Sequence, residues 1–126
     1  MTKVLLVEDT PSLAAEIIDI LRMEDFDVSL AKNGRDALDQ LAGQPADIIV
    51  SDLFMPEIDG FQLIEEIRKN EDLKDIPIII LSARTTLDAI DKVKDLGGDL
   101  FIKKPCDSRY LIQSIKNVLS KGTSLT

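Results

Sequence analysis

The fold is decided by the stretch Ile48-Ile49-Val50-Ser51-Asp52, an apolar run that ends in a hydroxyl and a carboxylate. Its apolar part, residues 48–50, is continuous rather than alternating, which is typical of a strand covered on both faces. Four other short runs are also rich in Val, Ile or Leu: Val4–Val7, Val28–Ala31, Ile76–Leu81 and Leu100–Ile102. We therefore predict five strands.

Between these runs, apolar residues recur at helical spacing. The five amphipathic segments cover residues 13–21, 37–42, 61–67, 89–96 and 111–119. Turn and capping residues border them, as at Asn33-Gly34 before the second segment and Gly97-Gly98 after the fourth. Strand and helix thus alternate five times, which predicts an α/β fold. We expect a doubly wound (βα)5 domain, with a parallel five-stranded sheet between two layers of helices.

Chain length and charge limit the classes of protein to consider. The 126 residues fit one domain, which we place at residues 1–121, with a flexible polar tail at residues 122–126. The net charge of −8 opposes sequence-independent binding of nucleic acid, which needs a basic surface. Residues 1–63 carry 4 basic and 13 acidic groups, whereas residues 64–126 carry 11 and 10. An acidic metal site is therefore expected in the first half, and a protein contact surface in the second.

The N-terminus and the cysteine content indicate the compartment. Cys106 is the only cysteine, so the chain can form no internal disulfide. The apolar run Val4–Val7 is too short for a signal-peptide core or a membrane span. We expect a soluble cytoplasmic protein.

Side chains that can carry chemistry follow four of the five predicted strands. Glu8 and Asp9 follow the first, Asp52 the third, Ser82 the fourth and Lys104 the fifth. Open parallel sheets bind ligands at the carboxyl ends of their strands, so we expect these side chains to lie close together. Three crowded carboxylates favour a divalent cation. The ligands are hard oxygens and the chain contains no His, so Mg²⁺ is favoured over Zn²⁺.

Four segments in order along residues 3–119 closely resemble the receiver domain of response regulators, including the stand-alone receivers of chemotaxis. They are Glu8-Asp9, the loop Asp52-Leu53-Phe54-Met55-Pro56 that ends in Asp59-Gly60, the pair Ser82-Ala83, and Phe101-Ile102-Lys103-Lys104-Pro105. Each segment alone is a weak signal, but four at successive strand ends make a strong one. The resemblance implies a flavodoxin-like three-layer sandwich with the strand order 2-1-3-4-5.

The resemblance also implies roles for the acidic residues. Asp52 would be the nucleophile that accepts a phosphoryl group in a two-component phosphorelay. Asp9 and Asp52 would bind Mg²⁺ directly, and Glu8 would act through a water. The backbone carbonyl of Phe54 would complete the protein ligands.

Further roles follow from the same resemblance for residues of the last two strands. Lys104 would pair with the phosphoryl group, and its bond to Pro105 would be cis. Ser82 would donate a hydrogen bond to that group, although a serine here also suits the cap of the next helix. The ring of Phe101 would change rotamer with the phosphorylation state, unless Phe101 is simply a core residue. Arg84 and Phe54 lie at positions that tune phosphoryl lifetime in the family.

The sequence also bears on two other functions, an enzymatic one and a scaffold that takes no phosphate. A phospho-aspartate phosphatase of the haloacid-dehalogenase type needs a second acid at position 54, where this chain has Phe54. A receiver-like scaffold that takes no phosphate would usually lack one of the acidic, hydroxyl or lysine positions, and this chain keeps them all. A flavodoxin phosphate loop and a P-loop motif are absent from the sequence. The sequence therefore favours a signalling phosphoacceptor that catalyses only its own phosphorylation and dephosphorylation.

The resemblance implies partners as well. The phosphodonor would be a sensor histidine kinase or a phosphotransfer protein. We predict that residues 84–120, which are nearly neutral and include Phe101, form the surface for a downstream protein. We expect no direct contact with nucleic acid or membrane, and either a monomer or a dimer that depends on phosphorylation. The chain acts alone or through another protein, or it belongs to a longer regulator.

Overall fold

Strands and helices alternate along the whole of the chain that the computed structural model describes, which is residues 1–55 and 57–124, with side chains up to residue 120. The strands are β1 (Lys3–Val7), β2 (Asp27–Ala31), β3 (Ile48–Ser51), β4 (Ile78–Ser82) and β5 (Leu100–Lys103). The helices are α1 (Pro11–Met23), α2 (Gly34–Gly43), α3 (Gly60–Lys69), α4 (Leu87–Leu96) and α5 (Ser108–Ser124). The predicted (βα)5 pattern is confirmed.

The five strands form one parallel sheet in the order β2-β1-β3-β4-β5, which confirms the predicted order. Val7 lies beside Ser51, and Ser82 lies beside Lys103, so these strands end at nearly the same level. The order reverses between β1 and β3. Ligands of open parallel sheets bind in the crevice at such a reversal, so the residues that follow β1 and β3 take the central position.

Helices cover both faces of the sheet, because alternate residues of each strand point to opposite sides. In β3, Ile48 and Val50 pack in the core formed with α1 and α5. Ile49 packs on the other side, in the core formed with α2, α3 and α4. All four residues of β3 are buried, which explains why its sequence is continuously apolar.

Each strand agrees with its predicted run to within one residue at either end, except at the start of β4. The apolar run Ile76–Leu81 was expected to form the fourth strand, but β4 begins at Ile78. The amide of Ile76 donates instead to the carbonyl of Leu73 in the turn after α3. Pro77 has no amide hydrogen to donate, so it contributes only its carbonyl, which accepts from the amide of Ile49.

The C-terminal helix α5 continues past residue 121, where we placed the end of the domain. Residues 125–126 of the predicted tail lie outside the described residues, and the boundary between domain and tail stays a prediction. Within the part of the chain that the structure describes, every helix is too short or too polar to cross a membrane.

Candidate functional site

Backbone hydrogen bonds hold the site residues level at the carboxyl ends of the strands. The amide of Asp52 donates to the carbonyl of Val7 at 2.9 Å, which ties the residue after β3 to the end of β1. The amide of Lys104 donates to the carbonyl of Ser82 at 2.8 Å, which ties the residue after β5 to the end of β4. The sheet itself therefore brings these four strand ends together.

Three carboxylates converge at this edge of the sheet, as the sequence predicted. Glu8, Asp9 and Asp52 each offer one oxygen, and these oxygens all lie within 4.8 Å of one another. Glu8 is 3% exposed, and the side chain of Asp52 is 15% exposed, whereas Asp9 is exposed. One cluster thus runs from the protein interior to the surface.

Lys104 lies within the same cluster and contacts two of its members. Its Nζ donates to Glu8 Oε1 at 2.7 Å and lies 3.7 Å from Asp52 Oδ1. The Lys104–Pro105 peptide is cis, as predicted. The direct pair of Glu8 with Lys104 was not foreseen, because the two residues are 96 positions apart and no local pattern links them.

The carboxylates also accept backbone hydrogen bonds. Asp52 Oδ1 accepts from the amide of Leu53 at 2.8 Å, which fixes one oxygen of the predicted phosphoacceptor. Glu8 Oε2 accepts from the amide of Thr10 at 3.2 Å. Such bonds orient each carboxylate relative to its own backbone.

Ser82 ends β4, is buried, and does not cap the following helix. Its Oγ accepts from the amide of Arg84 at 3.2 Å. The N-cap of α4 is Thr86, whose Oγ1 accepts from the amide of Ala89 at 3.2 Å. The alternative of a capping serine is therefore wrong.

Phe101 lies in β5 and is half-buried, on the α4 side of the sheet. It lines a shallow cavity of about 200 Å³ together with Ile90, Val93 and Gly98. Its register partner in β4 is Ile80, two residues before Ser82. The Phe101 ring is half-buried, and the cavity leaves space beside it.

Phe54 and Arg84, both noted from the sequence, contact each other above the site. The Arg84 guanidinium carbon lies 4.9 Å from the centre of the Phe54 ring. The Phe54 ring, which is 41% exposed, also meets Phe61 edge to face at 6.2 Å. Lys92 Nζ lies 4.3 Å from the centre of the Phe61 ring. Phe61 and Lys92 were missed, because only the tertiary structure brings α3 and α4 side by side.

The loop after β3 approaches the site so closely that one position needs a glycine. A Cβ on Gly60 would lie 2.8 Å from Leu53 Cα and 2.9 Å from the carbonyl oxygen of Asp52. The amide of Gly60 donates to the carbonyl of Leu53 at 2.7 Å. This contact folds the loop back on itself beside Asp52. Pro56, in the middle of the predicted phosphorylation loop, lies outside the described residues.

The donor set fits a hard divalent cation. The three clustered groups are carboxylates, and the chain has no His. Oxygen ligands of this kind suit Mg²⁺, which keeps several waters and takes few protein ligands. Whether the Phe54 carbonyl joins them stays a prediction.

The sheet order and the acidic site define a class of signalling domain. A family model described as the response regulator receiver domain matches residues 4–116. The chain belongs to this family, the receiver domains of two-component response regulators.

Particular relatives can also be named. Sensory transduction protein RegX3 of Mycolicibacterium smegmatis is 36% identical over 124 residues, which is 97% of this chain and 52% of that protein. The signal receiver domain of a signal transduction histidine kinase from Syntrophus aciditrophicus is 33% identical with a TM-score of 0.89, covering 96% of this chain and 92% of that one. A further similar structure is the receiver domain of sensor histidine kinase PA1611 from Pseudomonas aeruginosa PAO1, which is 28% identical with a TM-score of 0.87. That structure has a magnesium ion coordinated in the active site cleft. That match covers 94% of this chain and 98% of the other. The chain spans about half the length of the curated relatives it matches.

Proposed function

We propose that the protein accepts a phosphoryl group on Asp52 and thereby switches its conformation to control a partner. The observation that carries this proposal is the position of Asp52, whose carboxylate lies among Glu8, Asp9 and Lys104 at the central strand end. A carboxylate oxygen is the nucleophile in transfers of this kind, and this one is partly accessible from the surface. The other groups supply the charge balance that phosphoryl transfer needs.

The reaction is a transfer between the donor and one carboxylate. An oxygen of Asp52 attacks the phosphorus, and a new phosphorus–oxygen bond forms as the bond from phosphorus to the donor's leaving atom breaks. The leaving group departs with that electron pair. Lys104 pairs with the transferred group, and its ammonium offsets the negative charge.

The metal supports this step through the acidic cluster. Asp9 and Asp52 would hold Mg²⁺ directly, Glu8 would act through a water, and the Phe54 carbonyl would be a further ligand. When bound, the ion would supply positive charge that offsets the negative charge of the phosphoryl oxygens. The magnesium seen in the receiver domain from Pseudomonas aeruginosa supports this choice of ion.

The switch is the β4–α4 loop and the ring of Phe101. Moving a two-state equilibrium from 1:99 to 99:1 takes about 5.5 kcal/mol. One charge-assisted hydrogen bond contributes roughly 1.5–3 kcal/mol, so new contacts from Ser82 and Lys104 to the phosphoryl group supply most of that. Ser82 moves towards the phosphoryl group, and Phe101 follows into the space beside it.

The donor is a sensor histidine kinase or a phosphotransfer protein, and a downstream protein binds through residues 84–120. The response regulators among the relatives support this assignment. The net charge of −8 supports a protein partner rather than nucleic acid. We place the domain in the cytoplasm, as a monomer or a dimer that depends on phosphorylation. It is a signalling domain rather than an enzyme, because position 54 holds Phe54 where a phosphatase of the same chemistry needs an acid.

The first prediction is that acetyl phosphate with Mg²⁺ adds one phosphoryl group to the wild-type protein. Intact-mass spectrometry before and after treatment measures the gain. The Asp52→Asn variant should gain nothing, because an amide is not a nucleophile for this transfer. The Asp91→Asn variant, which removes an exposed acid on α4, is the matched control and should gain as much as the wild type.

An unshifted wild-type mass in the presence of Mg²⁺ would favour the receiver-like scaffold instead. A gain that survives Asp52→Asn would move the phosphoacceptor to another residue. A gain that is unaffected by chelating the metal would remove the role of Mg²⁺.

A further inference from the structure

Glu8 has a specific set of partners that its place in the acidic cluster alone does not explain. One oxygen accepts from Lys104 Nζ at 2.7 Å, and the other accepts from the amide of Thr10 at 3.2 Å. Both carboxylate oxygens of Glu8 are therefore engaged. The more exposed Asp9, in contrast, lies at the outer side of the cluster.

The ammonium of Lys104 lies closer to the carboxylate of Glu8 than to that of Asp52. Its distance to Glu8 Oε1 is that of a charge-assisted hydrogen bond, whereas its distance of 3.7 Å to Asp52 Oδ1 is too long for one. The side chain of Glu8 is 2% exposed, so this pair is screened little by water. Without Glu8, the nearest carboxylate on which the ammonium could settle is Asp52.

We propose that Glu8 is a positioning residue for Lys104, and that it holds the ammonium beside Asp52 but off its oxygen. This inference rests on the proposed role of Asp52 as phosphoacceptor. An ammonium hydrogen-bonded to the attacking oxygen would lower its nucleophilicity, whereas one held a short distance away is ready for the incoming phosphoryl group. In this arrangement Asp9 and Asp52 are the main carboxylate ligands available to the metal.

The side-chain length of Glu8 matters in this arrangement. The carboxylate reaches Lys104 while its second oxygen still reaches back to the amide of Thr10. Aspartate keeps the charge but is one methylene shorter. Glutamine keeps the length but loses the charge. The two substitutions therefore separate charge from reach.

The test follows the Lys104 ammonium by ¹H–¹⁵N NMR in protein freed of metal with a chelator. A buried, hydrogen-bonded ammonium gives an observable signal, and the Lys104→Arg variant, which lacks that group, assigns it. We expect the signal in the wild type, and its loss or a large shift in both Glu8→Gln and Glu8→Asp. Asp9→Asn removes the same charge from the neighbouring residue and should leave the signal in place.

Magnesium titration by calorimetry and phosphorylation kinetics complete the experiment. Asp9→Asn should weaken Mg²⁺ binding more than Glu8→Gln does. At saturating Mg²⁺ for each variant, Glu8→Gln should phosphorylate about tenfold more slowly, as expected for the loss of one charge-assisted bond at the reacting group. The fall should appear in the limiting rate rather than in the acetyl phosphate concentration for half-maximal rate.

The proposal is overturned if the metal-free wild type gives no Lys104 signal, or if Glu8→Gln and Glu8→Asp both leave that signal unchanged. It is also overturned if Glu8→Gln loses Mg²⁺ binding as fully as Asp9→Asn, because Glu8 would then act as a metal ligand. Should one Glu8 variant fail to fold, the other carries the comparison. Failure of the proposed function is distinct, because an unphosphorylated wild type leaves the metal-free NMR result intact.

Discussion

Gly60, the first residue of α3, packs directly against the backbone that follows β3. Its Cα faces the backbone of Asp52 and Leu53 so closely that no Cβ fits without a shift. Two of the three nearest atoms belong to the backbone and the third is Leu53 Cδ1, so a larger residue must move the backbone segment that carries Asp52. A single glycine therefore couples local packing to the geometry of Asp52.

At this residue, Gly60→Ala should lower the free energy of unfolding by about 1–3 kcal/mol, because the new methyl overpacks a filled space. Urea denaturation measures the change. Gly43→Ala is the matched control, since a Cβ at Gly43, the last residue of α2, meets no atom within 4 Å. The control should change stability by no more than about 1 kcal/mol. Equal losses in the two variants would contradict the close contact.

Cys106 gives a prediction for alkaline pH. Burial raises the pKa of its thiol, and the carboxylate of Asp107 adds to the rise. At a given alkaline pH the folded protein therefore holds less thiolate than the unfolded chain. The pH at which iodoacetamide modifies Cys106 at half its maximal rate should be higher for the native protein than for protein in denaturant. The thiol favours the folded state fully below its unfolded pKa and loses that contribution as pH rises through the folded one.

Mass spectrometry of the alkylated protein measures this rate, and Cys106→Ser should gain no mass. A native midpoint at or below that of the unfolded chain would be inconsistent with a thiol that is partly buried beside Asp107.

At the scale of the element, Arg68 fastens the end of α3 to the neighbouring segments. Its guanidinium donates to the carbonyls of Gly97, Lys74 and Ile76 and to the carboxylate of Asp99. One side chain thus joins α3 to the turn before β4 and to the end of α4. Asp99 also accepts from the amide of Ile78, at the first residue of β4.

Arg68→Met should therefore destabilise the fold by about 1–3 kcal/mol, because several carbonyls lose their donor at once. Thermal or urea unfolding measures the loss. Lys69→Met removes a positive charge from the next residue, which is exposed, and should stay within about 0.5 kcal/mol of the wild type. If the two variants unfold alike, the hydrogen bonds of Arg68 contribute nothing beyond its charge.

At the scale of the whole molecule, the proposed phosphorylation at one end of the sheet has to change the proposed partner surface. The β4–α4 loop begins beside Ser82, and the β5–α5 loop begins beside Lys104. Both of these groups are proposed to contact the phosphoryl group. Residues 84–120 begin within the first of these loops, and they include α4, β5 and most of α5.

Amide hydrogen exchange should therefore change within residues 84–120 when acetyl phosphate and Mg²⁺ are added. Mass spectrometry of peptides measures the exchange, and Asp52→Asn treated in the same way is the control. We expect the altered peptides to include the β4–α4 loop and β5, because new contacts order the first and the Phe101 ring moves in the second. Changes confined to residues 10–45 would contradict the proposed partner surface.

Much of this fold could be predicted because its signals are local. Ala14, Ile17 and Leu21 recur at helical spacing, and all three are buried in α1. The buried strands are continuously apolar, since each packs against helices on both of its faces. The predicted start of β4 was wrong because hydrophobicity alone cannot exclude Ile76 from the strand. The Ile76 amide donates a hydrogen bond within the preceding turn instead.

The candidate site was predictable in its members but not in its pairings. The sequence placed Glu8, Asp9, Asp52, Ser82 and Lys104 after strands, and parallel strands bring such positions to one edge. Their chemical roles came from the resemblance to receiver domains and remain proposals. The contacts of Phe61 and Lys92 had no sequence signal, because they depend on how α3 lies against α4.

By itself, the sequence determined the alternation of strands and helices, the buried faces, and the single edge at which the acidic residues meet. These features follow from hydrophobic periodicity and from the direction of the chain, which neighbouring residues encode. Only the tertiary structure decided that Lys104 Nζ lies 2.7 Å from Glu8 and 3.7 Å from Asp52. Which carboxylate the ammonium bonds depends on a difference of about one ångström between these two distances. The three residues lie far apart in the chain, so only the packing of the sheet sets these distances.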